Sequence, residues 1–262
     1  GPEKFGLIAF AQAFVQYFAI ITDYGFGISA TKEISLCREE RRKVSCVFSS
    51  VITVKILLAV LSLLALGLLV YFVPKFRRDW PVYLLSFGAV AGNTLFPVWF
   101  FQGTEKMRHI ADLNILAGVI LALLIFTCVK TPQDYLLVPL INSGVMMITG
   151  VLGLYIVFRK FGVSFKFPGY ADIRSQLQAG WDIFISNVAI NAYTTTRVFA
   201  VGLLTNNTAT GFYSMAEKIA NAVQTFPLYS FSQAIFPRLS RIFHKNRMKA
   251  FLLMKRIQLI TT

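Results

Sequence analysis

Three charged residues fall in apolar surroundings on either side of one short polar turn. Arg197 lies nine residues before the tip of 205–208, and Glu217 and Lys218 lie about as far beyond it. In an antiparallel helical hairpin all three reach a similar depth, roughly 15 Å from the tip. A pair between Arg197 and Glu217 leaves one positive charge in excess at that depth, carried by Lys218. A planar guanidinium and a compact ammonium both suit a phosphate-like anion. Asn187, Asn191, Thr194 and Thr195 recur at helical spacing before the turn. Beyond it, Glu217, Asn221 and Gln224 share a face within about 60°, and near the start of the chain Gln12, Gln16 and Asp23 share one within about 40°. A lone Asn or Thr between helices is explained by an interhelical hydrogen bond worth about 1 kcal/mol. Three helices with polar stripes are explained more economically by a shared hydrated cavity.

Two further charges each have two readings. Asp23 is either a carboxylate that carries a proton or a sodium ion, or a structural partner of nearby Lys32. Lys55 is either a cavity cation or a snorkelling side chain, because it follows Arg41, Arg42 and Lys43 by about three helical turns. Asp112 and Asp182 lie close to helix starts, where a carboxylate complements the helix dipole. His109 and His244 fall in basic loops, and Cys37, Cys46 and Cys128 are widely spaced. None of these has the spacing of a ligand set, so neither a metal nor a cofactor is expected beyond a coupling H+ or Na+.

Such groups have this meaning only if the elements that carry them lie in lipid. Of 262 residues, 56% are hydrophobic and 15% charged, and the mean hydropathy is +0.62. A soluble domain carries about 25% charged residues. The expectation is an all-α polytopic membrane protein with seven spans: Phe5 to Thr31, Val44 to Val73, Trp80 to Thr104, His109 to Val129, Tyr135 to Phe158, Leu177 to Leu204, and Ala209 to Phe236. An eighth begins near Phe251. Each approaches or exceeds the ~20 residues that cross a bilayer. Pro97, Pro139 and Pro227 lie inside spans, where neighbouring helices can satisfy the freed carbonyls. The first segment lacks the basic flank and cleavage site of a secretory signal. The net charge of +14 is read as the positive-inside bias rather than nucleic-acid binding. Sixteen Lys and Arg residues fall in the alternate loops around Arg41, Lys106, Lys166 and Lys245, against five in the opposite set. The first set is therefore expected on the cytoplasmic side, with Gly1 outside.

An internal repeat at an offset of 205 residues aligns Gly6-Leu-Ile-Ala-Phe-Ala-Gln12 with Gly211-Phe-Tyr-Ser-Met-Ala-Glu217. It matches Gly6 to Gly211, Ala11 to Ala216 and Gln12 to Glu217. Six helices separate the copies, so they run in the same direction, as in a parallel repeat about the membrane normal. This predicts two bundles of six helices. Residues 1–160 form the first lobe without its first helix, 161–176 a cytoplasmic linker, and 177–262 the truncated start of the second lobe.

The segments GPEKFGLIAFAQAF, TDYGFGISATKEIS, FPVWFFQGTEKM, GFYSMAEKI and FSQAIFPRLSR, in this order, resemble the bacterial flippases for lipid-linked polysaccharide repeat units. These are the O-antigen, Wzx-type members of the multidrug/oligosaccharidyl-lipid/polysaccharide exporter superfamily. The resemblance implies a two-lobed, MATE-like bundle in the bacterial inner membrane. It implies movement of undecaprenyl-pyrophosphate-linked oligosaccharide from the cytoplasmic to the periplasmic leaflet, alongside other polysaccharide assembly proteins. On that basis Arg197, Lys218 and Lys55 are candidates for the pyrophosphate. Gln12, Gln16, Asn187, Asn191, Asn221 and Gln224 are candidates for sugar hydroxyls, and Asp23 and Glu217 for ion coupling. Three other classes compete. A cation-coupled multidrug antiporter of the same fold would favour an anionic cavity. A membrane polymerase or ligase would be expected to carry a large extracytoplasmic loop, whereas the outer loops here are about four to ten residues. A structural scaffold would not need polar stripes. The expectation is a transporter and not an enzyme.

Overall fold

The computed structural model describes residues 1–194 and 196–223, the side chains of 192–194 excepted. Gln224, Pro227, His244, the distal part of the seventh expected span and the eighth expected helix lie outside the described residues, as does Thr195. The chain divides into two compact units, Gly1–Phe212 and Tyr213–Thr262. In the second, the described residues 213–223 are helical.

The first unit is built from helices: α1 (Pro2–Asp23), α2 (Phe26–Cys37), α3 (Arg41–Phe72), α4 (Pro74–Arg77), α5 (Trp80–Leu95), α6 (Val98–Gly103), α7 (Arg108–Cys128), α8 (Leu137–Lys160), α9 (Tyr170–Thr194) and α10 (Thr196–Leu204). No strand occurs among the described residues. Among the described residues, five helical spans are long and apolar enough to cross a membrane: Pro2–Cys37, Arg41–Phe72, Trp80–Gly103, Arg108–Cys128 and Pro132–Lys160. They coincide with the first five expected spans. The sixth is helical as α9 and α10 but is not among these five.

Two spans are interrupted where the sequence allows it. Tyr24 and Gly25 both adopt left-handed backbone, at φ 45° and 79°, ending α1 and starting α2. The expected single helix Phe5 to Thr31 is therefore two, because a left-handed residue cannot continue a right-handed helix. Gly25 also admits a close neighbour, since a Cβ there would lie 2.7 Å from the Ile183 side chain. Pro97 separates α5 from α6 by withholding its amide, and Phe96 before it is extended.

Small residues set the tightest helix pair. Gly88, Gly92 and Ser143 let α5 and α8 approach until a Cβ at Gly92 would lie 2.6 Å from the Met147 amide nitrogen, and one at Gly150 2.5 Å from the Gly92 carbonyl oxygen. Close backbone approach through small residues is how helices associate in lipid, where burial offers no hydrophobic gain. By contrast α7 buries little of its surface and exposes Ile115, Leu116, Val119, Leu123 and Phe126, as a lipid-facing helix would.

Two apolar clusters form the interior. One gathers Phe26, Phe48, Val54, Phe96, Trp99, Phe100 and Phe101; the other gathers Phe10, Phe14, Phe18, Leu66, Phe76, Tyr83 and Val90. Along three helices a polar residue falls between them: Asp23 between Phe18 and Phe26, Lys55 between Val54 and Leu66, and Asn93 between Val90 and Phe96. The loops cluster at two ends. At one, Arg38 pairs with Glu105 at 2.8 Å, Arg41 and Lys160 line a common cavity, and the strand-free segment after α8 donates Ser164 N–H to Ser45 Oγ and Lys166 N–H to Ser49 Oγ. At the other, Lys4 stacks over Tyr135, and Lys75 donates to the Gly202 and Leu203 carbonyls at the end of α10.

Candidate functional site

Between the two apolar clusters lies a cavity of about 530 Å³, whose wall includes Gln16, Asp23, Lys55, Asn93, Gln102 and Trp99 from the helices up to α6, with Asn187 and Asn191 from α9. The helix breaks create it. Asp23 is the last residue of α1, and its Oδ2 lies 3.7 Å from where a Gly27 side chain would begin, over the first turn of α2. A carboxylate at the carbonyl end of α1 is disfavoured by that helix dipole, and the amide end of α2 offsets this.

Lys55 Nζ lies 3.6 Å from Asp23 Oδ1. The lysine side chain is only 5% exposed, whereas the aspartate is 48% exposed to the cavity side. Lys55 thus takes the cavity reading rather than the snorkelling one, and its partner among the described residues is Asp23, which does not pair with Lys32. The two charges compensate, so Lys55 adds no net positive charge to the cavity while the pair is intact. A buried ammonium would otherwise carry an uncompensated desolvation cost of several kcal/mol.

The remaining polar wall is amide and indole, set among Ala19, Ile20, Ile28, Phe96 and Val98. Asn191 donates to the Asn187 carbonyl at 2.8 Å, which holds the α9 stripe in place. Trp99 is 1% exposed, and its Nε1–H has no hydrogen-bond partner. Thr31, on α2, bonds the Gly27 and Trp99 carbonyls at 2.7 and 3.2 Å and fixes α2 against α6. The cavity therefore offers N–H donors, amide carbonyls and one exchangeable ion pair. That set can hydrogen-bond a polar ligand and offers an ionic partner to a charged one.

The structure brings together five of the expected site residues: Gln16, Asp23, Lys55, Asn187 and Asn191. Gln12 lies along α1 in a neighbouring cavity that shares Gln16. Arg197 is an exposed residue near the start of α10 and does not line either cavity. Glu217, Lys218 and Asn221 belong to the second unit, where Lys218 and Asn221 are exposed and Glu217 is half-buried. Sequence reasoning leaves out Asn93, Gln102 and Trp99. The first two are isolated amides in their helices, so no periodic stripe marks them; the one cue is their position either side of the Pro97 break.

Polysaccharide biosynthesis proteins match the chain as a family over residues 1–243. A protein of Escherichia coli (strain K12) named "Putative O-antigen transporter" is 32% identical over 256 residues, which cover 98% of this chain and 61% of that protein. One of the same name in Shigella dysenteriae is 29% identical over 242 residues, covering 92% and 60%. The chain thus spans about three fifths of the length of both relatives. No solved structure matches it.

Proposed function

This chain belongs to the polysaccharide biosynthesis protein family, and from that premise we propose that it is part of a transporter for lipid-linked polysaccharide repeat units. In this reading the whole protein is a multi-pass, two-lobed, MATE-like carrier of the bacterial inner membrane and not an enzyme. It flips an undecaprenyl-pyrophosphate-linked oligosaccharide from the cytoplasmic to the periplasmic leaflet by alternating access. The observation that carries the reading is the Lys55–Asp23 pair set in an amide-lined cavity within an apolar helical bundle. A cavity of about 530 Å³ is of ligand size, and its walls suit a polar headgroup whose lipid tail stays in the bilayer.

The pair also supplies a route to coupling. Lys55 cannot serve Asp23 and a pyrophosphate with full strength at once. Protonation of Asp23, or a sodium ion bound to it, removes the competing carboxylate and leaves the ammonium for the phosphate. Loss of that cation restores the pair and weakens the hold on the anion. Arg197 and Lys218 are proposed to add to the positive field, with Glu217 as a second coupling carboxylate. Gln12, Gln16, Asn187, Asn191, Asn221 and Gln224 are proposed to meet sugar hydroxyls.

Deletion of the gene tests the reading through the leaflet that holds the lipid-linked repeat unit. Accumulation in the cytoplasmic leaflet, reversed by the wild-type gene and not by Lys55→Ala, is the expected result. Unpolymerised repeat units reaching the periplasm at the normal rate would refute it and point to a polymerase.

A further inference from the structure

A second cavity, of about 310 Å³, lies between α1, α5 and α8 and carries no charged residue in its wall. Its polar lining is Gln12 and Gln16 from α1, Ser86 and Asn93 from α5, and Asn142 from α8. Ser86 is 4% exposed, and its hydroxyl has no hydrogen-bond partner. Among the described residues none of the four amide side chains makes a hydrogen bond either, although each presents two N–H donors and a carbonyl acceptor. Buried polar groups are ordinarily hydrogen-bonded, and the enclosed Ser86 hydroxyl is an exception. Gln12 and Asn142 are half-buried and Gln16 and Asn93 exposed, and together with Ser86 they line one shared space.

The dimensions and chemistry narrow the occupant. A single water accounts for about 30 Å³ and a bare cation for less, so the space exceeds either by roughly an order of magnitude and reaches the lower end of ordinary ligand pockets. The wall holds neither a cation to pair with an anion nor a carboxylate to pair with an ammonium. The rest of the lining is apolar, formed by Val15, Ala19, Ala89, Val90 and Met146. A lining that mixes donors, acceptors and apolar surface suits a pyranose ring, with its hydroxyl edge and its C–H face. Gln16, Ala19 and Asn93 line both this cavity and the one that holds Lys55 and Asp23. A ligand can therefore place a charged group in one compartment and a neutral ring in the next.

We propose that the α1/α5/α8 cavity is an uncharged sugar subsite that holds a hydroxylated ring of the substrate beside the charged compartment. The inference rests on the transport reading and deepens it, because it assigns Ser86, Asn93 and Asn142 to the sugar and divides the headgroup between two chemistries.

The test uses the full-length protein in lipid nanodiscs with two probes: the lipid-linked repeat unit extracted from a strain lacking the gene, and undecaprenyl pyrophosphate without sugar. Combined Ser86→Ala and Asn142→Ala should weaken the first probe about tenfold and leave the second within about twofold. Lys55→Ala should weaken both, and Asn114→Ala on the exposed face of α7 neither. Ser86→Ala alone, which removes one atom and preserves packing, gives the same contrast at smaller size if the double variant is unstable. Wild-type affinity for the repeat unit in both variants would overturn the subsite and leave the cavity to water. Failure of the wild-type protein to bind either probe would instead overturn the transport reading beneath it.

Discussion

Asp23 and Lys55 stabilise each other unequally, and that asymmetry is testable. Lys55 is enclosed while about half of Asp23 reaches the cavity. Asp23→Asn strands an enclosed ammonium, whereas Lys55→Ala leaves a carboxylate that the cavity can hydrate. A fully enclosed pair loses about 3–5 kcal/mol when one partner is removed, and the exposure of Asp23 reduces that here. The expected order of melting temperature in purified protein is wild type, then Lys55→Ala, then Asp23→Asn. The double variant Asp23→Asn with Lys55→Met should melt above Asp23→Asn, because it removes the stranded charge, and should still fail to transport. Equal melting of the two single variants would show that the pair is too hydrated to matter to the fold.

The helices are positioned by where side chains are absent. A Cβ at Gly92 runs into the backbone of Met146 and Met147, which cannot move aside as a flexible side chain would. Gly118 sits in a helix with nothing within 4 Å of its absent side chain. Replacing a helical glycine by alanine otherwise favours the helix by about 1 kcal/mol. Gly118→Ala should therefore be neutral to slightly stabilising, while Gly92→Ala should destabilise by about 1–3 kcal/mol through overpacking. Thermal unfolding followed by size-exclusion separates the two; a neutral Gly92→Ala would mean that α5 and α8 are free to slide apart. Their separation would also open the cavity that Ser86, Asn93 and Asn142 line, so packing and site are linked through the same helix pair.

At the scale of the molecule, the basic loops converge at one end of the first unit. Exposed Ser164 lies at that end, and exposed Gln133 lies at the other, in the short 3-10 helix Pro132–Leu136 between α7 and α8. With the three native cysteines replaced, an impermeant thiol reagent added to intact cells should label Gln133→Cys and spare Ser164→Cys. The opposite pattern would invert the orientation and, with it, the direction of transport. A Cβ at Gly6 would lie 2.6 Å from the Gly211 nitrogen, so the two residues that the 205-residue offset matches pack against each other.

The first five spans and the polar faces Gln12/Gln16 and Asn187/Asn191 could be read from the residues alone, because hydrophobic length and helical periodicity are local properties of a chain. The basic character of alternate loops could be read in the same way. The Tyr24–Gly25 break, the partner of Lys55 and the gathering of Ser86, Asn93 and Asn142 could not. Lys55 and Asp23 are 32 positions apart on different helices, and Lys32 is nearer in sequence to Asp23, so spacing favoured the wrong neighbour. Which residues face one another depends on how far each helix is rotated about its axis. That rotation is decided by contacts such as Gly92 against Met147 and Gly103 against Ile34. Those contacts exist only once the helices are packed, so only the tertiary structure could place a buried ammonium beside its carboxylate and an uncharged pocket next to both.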